Sequence, residues 1–192
     1  MGLGEEESLV AALKCRDQAA IEALIETHGT RLLRSATLLC GNETNAQDLV
    51  QDTFVEAFRS IHRFRGQASL YTWLHSILLN LTHHYHRKSK RLVYDNELAA
   101  QEVLVSEDRP SSLDLESASM DLTRALRQLS HPHREVLILR FYEHMKIDGM
   151  ARHLGISKGT VKSRLHYAIR EMQKLFPKEV NLFSVEGTKE KT

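Results

Sequence analysis

At 192 residues, 42% of them hydrophobic, the chain holds enough apolar material for one domain or two small ones, and with nine glycines, three prolines and little strand-like alternation it reads as all-α. Two widely separated cysteines, Cys15 and Cys40, exclude a disulfide framework and are expected to be buried thiols. No apolar run nears the ~20 residues of a bilayer span, the acidic Glu5-Glu6-Glu7 opening is the wrong charge for a secretory signal, and the net charge of +1 favours neither acidic nor basic partners, so the chain is expected in the cytoplasm with no membrane insertion.

Residues 1–8 are expected to fray. Leu9, Val10, Leu13, Ile21, Leu24 and Ile25 then follow a helical period over 9–28, with a break near Asp17. Helix continues from Arg31 to Cys40, with Leu32, Leu33, Leu38 and Leu39 available for burial. Gly41 to Asn45 reads as a turn, and Asn45 as the N-cap of the next helix. Ala46 to Ile61 is strongly amphipathic, with Leu49, Val50, Phe54, Ala57, Phe58 and Ile61 on its core stripe. On neighbouring turns clear of that stripe lie Asp48, Gln51, Asp52 and Glu56.

Phe64 to Ser69 reads as a loop, and Leu70 to about Arg91 as a long helix with Trp73, Leu74, Ile77, Leu78 and Leu81 inward. Seven cations fall between Arg59 and Arg91 without one Asp or Glu, among five histidines and the aromatic residues Phe64, Tyr71, Trp73 and Tyr85. Cations that track phosphates, beside aromatic faces and a flexible loop, suit a separated nucleic-acid strand. His83, His84 and His86 point in different directions on a helix and have no partner set at ligand spacing, so no metal site is expected. From Asp95 to Asp121 the charge reverses, eight acids facing Arg109 alone, which marks 92–117 as an acidic linker.

Further helices are expected over 118–129, His133 to Tyr142, Ile147 to His153 and Lys158 to Phe176, with Pro132 at a helix start and Pro177 as a stop. The last two form the most specific pattern in the chain. Met150, Ala151 and Leu154 share an apolar face, Gly155 has the backbone freedom to end a helix, and Ser157 is a good N-cap for the next. Val161, Leu165, Ala168 and Ile169 then face inward, while Lys158, Thr160, Lys162, Ser163, Arg164 and His166 face outward. This is a helix-turn-helix whose basic second helix suits a major groove. Gly149 costs the first of the two helices about 1 kcal/mol relative to alanine. No Gly-rich phosphate loop, nucleophile elbow or metal set is present, so neither catalysis nor a cofactor is expected.

Three of these segments resemble the extracytoplasmic-function sigma factors, compact two-domain bacterial transcription initiation factors. Asn45-Ala46-Gln47-Asp48-Leu49-Val50-Gln51-Asp52-Thr53-Phe54 is similar to the family's polymerase-gripping segment, although the family usually has acids where Asn45 and Gln47 stand. Phe64-Arg65-Gly66, Thr72-Trp73-Leu74 and Ile77-Leu78-Leu79-Asn80 resemble its promoter-melting segment, with His84 where many relatives carry Asp. Arg134-Glu135-Val136-Leu137 through Gly159-Thr160-Val161-Lys162-Ser163-Arg164-Leu165-His166 resembles the domain that reads the −35 element.

The resemblance implies a region 2 bundle at 9–91, the linker at 92–117, a region 4 helix-turn-helix at 118–177 and a flexible tail at 178–192. It implies that Asp48, Leu49, Gln51, Asp52 and Glu56 dock on core RNA polymerase, on its β and β′ subunits. It assigns −10 DNA to Phe64, Arg65, Ser69, Asn80, Arg87, Lys88, Lys90 and Arg91, with Asn80 close to the loop. It assigns −35 DNA to Lys158, Thr160, Lys162, Ser163, Arg164 and His166, with Arg164 the best placed to pair with guanine. An anti-sigma factor is the further partner it implies. A stand-alone helix-turn-helix regulator is the alternative, and leaves 46–91 unexplained.

Overall fold

The computed structural model describes the backbone of residues 3–97 and 122–175, and side chains within 4–87 and 122–175. The chain divides into two compact units, Met1–Leu113 and Asp114–Thr192. The described residues contain helices and no strand, as the hydrophobic periods predict. None of the described helices is long and apolar enough to cross a membrane.

The first unit is built from α1 (Leu3–Lys14), α2 (Gln18–Cys40), α3 (Glu43–Ser60), a 3₁₀ turn (Ile61–Arg63) and α4 (Leu70–Glu97). Helix α1 already runs from Leu3, so over residues 3–8 the predicted fraying is not seen; Val10 and Leu13 bury it against α2 and the 3₁₀ turn. The break near Asp17 is real: Asp17 is the N-cap of α2, and its carboxylate accepts the Ala20 amide at 3.0 Å. Helix α2 then runs through Gly29 without interruption to Cys40, and Gly41 ends it at φ 74°, where a left-handed backbone suits glycine.

The cap of α3 is Asn42 rather than Asn45. With Gly41 already turning the chain, the Asn42 side chain reaches forward to the Asn45 amide at 3.0 Å and helix begins at Glu43. Leu24, Leu32, Leu39, Leu70, Leu74 and Leu78 are almost fully buried where α2, α3 and α4 pack together. Each such leucine contributes about 2 kcal/mol of apolar burial. Among these leucines sits His75, also fully buried, with Nε2 2.8 Å from the Ser35 hydroxyl. Cys15 is exposed, contrary to the expected burial, because it lies in the turn after α1; Cys40 is half-buried and its thiol donates to the Asn42 carbonyl.

The second unit holds α5 (122–128), α6 (His131–Leu137), a π turn (Ile138–Tyr142), α7 (Ile147–Leu154) and α8 (Lys158–Leu175). Pro132 stands in the first turn of α6, where its missing amide is harmless. The buried Arg134 side chain donates to the carbonyls of Leu126, Arg127 and Leu129 at 2.7, 3.1 and 3.2 Å, closing the C-terminal end of α5. Val136, Leu137, Ile138 and Leu139 are buried in succession, and the helix widens there, the Glu143 amide bonding back to the Ile138 carbonyl. Regular helix to Tyr142, as the periodicity predicts, therefore stops at Leu137. Helix α8 packs on α6 and α7 through Val161, Leu165, Ala168 and Met172.

Candidate functional site

Three exposed surfaces are set by these helices, two on the first unit and one on the second. The first lies on α3. Ala46, Leu49, Thr53, Phe54 and Ala57 face the core, which turns Asp48, Gln51, Asp52 and Glu56 to solvent. Leu49 is only 6% exposed and packs against the core, and the part of it that reaches the surface lines the groove between α3 and α4. Asp48 and Asp52 border this groove of about 370 Å³, together with Asn45, Leu49, Leu81, His84 and Tyr85. The Asn45 side-chain amide donates to the Tyr85 hydroxyl at 2.7 Å and ties the groove's two walls together.

The second surface is the 64–69 loop and the α4 face beyond it. Arg65, Gly66, Gln67, Ala68 and Ser69 are exposed, with Gly66 at φ 68°. Phe64 is not: it is 8% exposed, and its ring meets the half-buried Trp73 ring with centroids 5.4 Å apart. This corrects the expectation that Phe64 offers a free face to a base; it forms the floor beneath the loop. The Ser69 hydroxyl accepts the Thr72 amide at 3.2 Å and so caps α4. From the other end of the unit, the Glu6 carboxylate accepts the Leu70 amide at 2.7 Å. A carboxylate at a helix N-terminus also meets the positive end of the macrodipole.

Asn80 is exposed but lies three turns along α4, roughly 15 Å from the loop, so it is not beside Ser69 as expected. It shares a stripe with His84 and Arg87, both exposed, with the Arg87 guanidinium 3.1 Å from the His84 ring. The backbone of α4 continues past Arg91 to Glu97, while the side chains of Lys88, Lys90 and Arg91, most of the 92–117 linker and the 178–192 tail lie outside the described residues.

A cation and three rings on α2 and α4 run from the surface to the core of this unit. The Arg31 guanidinium lies 4.0 Å from the Tyr71 ring centre, and Tyr71 in turn neighbours the rings of His28 and His75. Burial, aided by the Arg31 charge, pushes His75 down to about 4. Burial also lowers His28, against the opposing pull of Glu6.

The third surface is the helix-turn-helix. Gly155 adopts φ 64°, Ser157 caps α8 by accepting the Thr160 amide at 3.0 Å, and Met150 and Val161 are fully buried between the helices. Lys158, Lys162, Ser163 and His166 are exposed and Thr160 is half-buried. The Lys158 ammonium reaches Asp148 of α7 at 2.9 Å; that hydrogen bond, chiefly, holds the Asp148 carboxyl below its usual range. Arg164 is half-buried and lies on the flank of α8, off the centre of the outward face. Opposite the core stripe, the outward face is centred on Ser163 and continues through Tyr167 and Arg170, both exposed and neither singled out from the sequence. Following the i, i+4 and i+7 positions from Ser163 finds both.

Models of Sigma-70 region 2 and of Sigma-70 region 4 match residues 24–92 and 119–172, one in each unit, and so define the class of protein: a sigma factor. The chain is 31% identical over 165 residues to RNA polymerase sigma factor YlaC of Bacillus subtilis, covering 84% of this chain and 94% of that one. It is 30% identical over 168 residues to ECF RNA polymerase sigma factor SigL of Mycobacterium tuberculosis, covering 85% and 93%. The sigma factor RpoE of Bartonella quintana, solved in complex with the anti-sigma factor NepR, superposes with a TM-score of 0.66 at 30% identity over 82% of this chain and 97% of that one. The chain belongs to the extracytoplasmic-function sigma factors, and it is a transcription initiation factor. A stand-alone regulator is not favoured, since it leaves the region 2 match without a role.

Proposed function

We propose that residues 9–91 bind core RNA polymerase and open the −10 element, that residues 118–177 read the −35 element, and that 92–117 joins them within the polymerase. The face of α3 formed by Asp48, Gln51, Asp52 and Glu56, with Leu49 in the groove beside it, docks on a basic helical surface of the β′ subunit, with β contacting the chain elsewhere. The exposed loop with Arg65 and Ser69 receives an unstacked base, and Asn80 and Arg87, with Lys88, Lys90 and Arg91, track the strand beyond it. In α8, Lys158, Thr160, Lys162, Ser163, Arg164 and His166 meet duplex DNA. Neither unit has to hold promoter DNA tightly alone, because a polymerase carrying both makes the second contact intramolecular.

Bond formation belongs to the polymerase in this reading, and the chain itself catalyses nothing and takes no cofactor. It works in the cytoplasm and is held inactive by an anti-sigma factor; supporting such a partner, the similar RpoE was solved in complex with the anti-sigma factor NepR. The observation that carries the reading is the exposed acidic row on α3 beside the tied α3–α4 groove, a surface with no role in this chain's own core. Size-exclusion chromatography with sigma-free core polymerase tests it. Wild-type chain co-elutes, and Asp48→Arg/Asp52→Arg, still folded by circular dichroism, does not. Co-elution of the double variant at wild-type level refutes the assigned surface.

A further inference from the structure

Tyr167 is the most exposed large hydrophobic side chain among the described residues, at 55%. A solvated tyrosine on a surface helix is free about its two side-chain torsions, yet this one is held. The His133 ring of α6 stacks on it, with centroids 6.4 Å apart and planes 20° from parallel. His133 is itself fixed by a 2.8 Å contact from Nδ1 to the Glu171 carboxylate, one turn further along α8. On the other side His166 meets Tyr167 edge-on at 5.7 Å and 73°. The ring therefore keeps one orientation on the outward face of α8, in line with Ser163 and Arg170 and opposite Val161, Leu165 and Ala168. Arg170, three residues on, borders it with positive charge, and the neighbouring Glu171 carboxylate is already engaged by His133, which leaves a polyanion as the fitting occupant of this face.

We infer that Tyr167 is a base-reading residue of the −35 contact, and that His133 is its positioning residue. The inference rests on the proposed reading of α8 as the duplex-binding helix and deepens it. In a major groove the only apolar group a base edge presents is the thymine C5 methyl, and a preordered aromatic ring packs against it without first losing rotamer freedom. The phenolic hydroxyl is free to reach a phosphate beside it. Glu171 holds the His133 ring flat against Tyr167 and so fixes the height at which the ring meets the base.

The test is an in vitro selection from promoters randomised over the −35 region, using holoenzyme reconstituted from core polymerase and the full chain. Wild type enriches an upstream motif containing thymine. Tyr167→Ala loses the preference for thymine at one position by fivefold or more, a single-base discrimination, while the rest of the motif persists. Tyr167→Phe keeps the ring and keeps the preference. His133→Ala weakens the same position only, with the melting temperature of the chain unchanged, and His133→Phe restores it. Deoxyuridine in place of that thymine weakens wild type and leaves Tyr167→Ala unaffected. An unchanged motif with Tyr167→Ala overturns the inference while leaving the −35 reading intact. A uniform loss over the whole motif, together with a lowered melting temperature, assigns the ring a structural role and also overturns it. A wild-type selection that yields no upstream motif refutes the −35 reading itself, and the inference with it.

Discussion

Acid should unfold the first unit through one histidine. His75 is fully buried between leucines, bonded to the Ser35 hydroxyl, and pushed down to about 4 by burial and by the Arg31 charge. An unfolded chain takes up the proton near 6.5, so between that value and about 4 the unfolded state binds a proton that the folded state refuses. The stability that neutral His75 carries is complete above about pH 6.5 and is lost as pH falls through the window. The full gap is worth about 3 kcal/mol, and about 2 kcal/mol of it is already gone at pH 5. His75→Gln keeps a polar partner for Ser35 and cannot titrate. Urea denaturation followed by Trp73 fluorescence reports on this unit, since Trp73 is the sole tryptophan. Between pH 7.5 and pH 5 the wild type should lose about 2 kcal/mol more than His75→Gln, whatever the variant's absolute stability. Equal losses in the two proteins refute the reasoning, and place the acid sensitivity among the other histidines.

Arg134→Met should cost the second unit about 2–4 kcal/mol by leaving the carbonyls at the end of α5 without donors, and Arg134→Lys should not restore it, because one ammonium cannot span three carbonyls; thermal melts followed by circular dichroism check both. Gly149→Ala should raise stability by about 1 kcal/mol, since a Cβ there meets nothing within 4 Å and α7 gains a better helix former; an unchanged or lowered melting temperature contradicts this. Asp148→Asn removes the acid that holds Lys158, and duplex binding by the holoenzyme should tighten at low salt, with a dependence on salt steeper by about one counterion. An unchanged slope shows that Lys158 makes no phosphate contact.

Much of the fold is legible because its signals are local. Asp17, Gly155 and Ser157 each act on backbone groups within four residues, so cap chemistry alone finds the helix ends they make. The same locality misleads at Asn42 and Asn45, two capping residues three apart, where the choice depends on Gly41 ending α2 one residue earlier. What stays hidden is set by partners far along the chain. The burial of Phe64 depends on Trp73, and the ordering of Tyr167 on His133, 34 residues before it. Of the candidate residues, the acidic row on α3 and the exposed face of α8 follow from helical period. The displacement of Arg164 to the flank needs the actual direction of the core stripe, which Met172 rather than Ile169 completes.

The bond from Leu70 to Glu6 joins the two ends of the first unit's construction in time as well as in space. Glu6 leaves the ribosome long before Leu70, so during synthesis α1 waits without its distal anchor while α2 and α3 are made. Once α4 begins, the earliest helix closes over the start of the latest, directly beneath the 64–69 loop. Any fusion, cleavage or substitution that disturbs the first turn of α1 therefore acts at Leu70, 64 positions away, and a change made for convenience near Glu6 is a change made to the footing of the 64–69 loop.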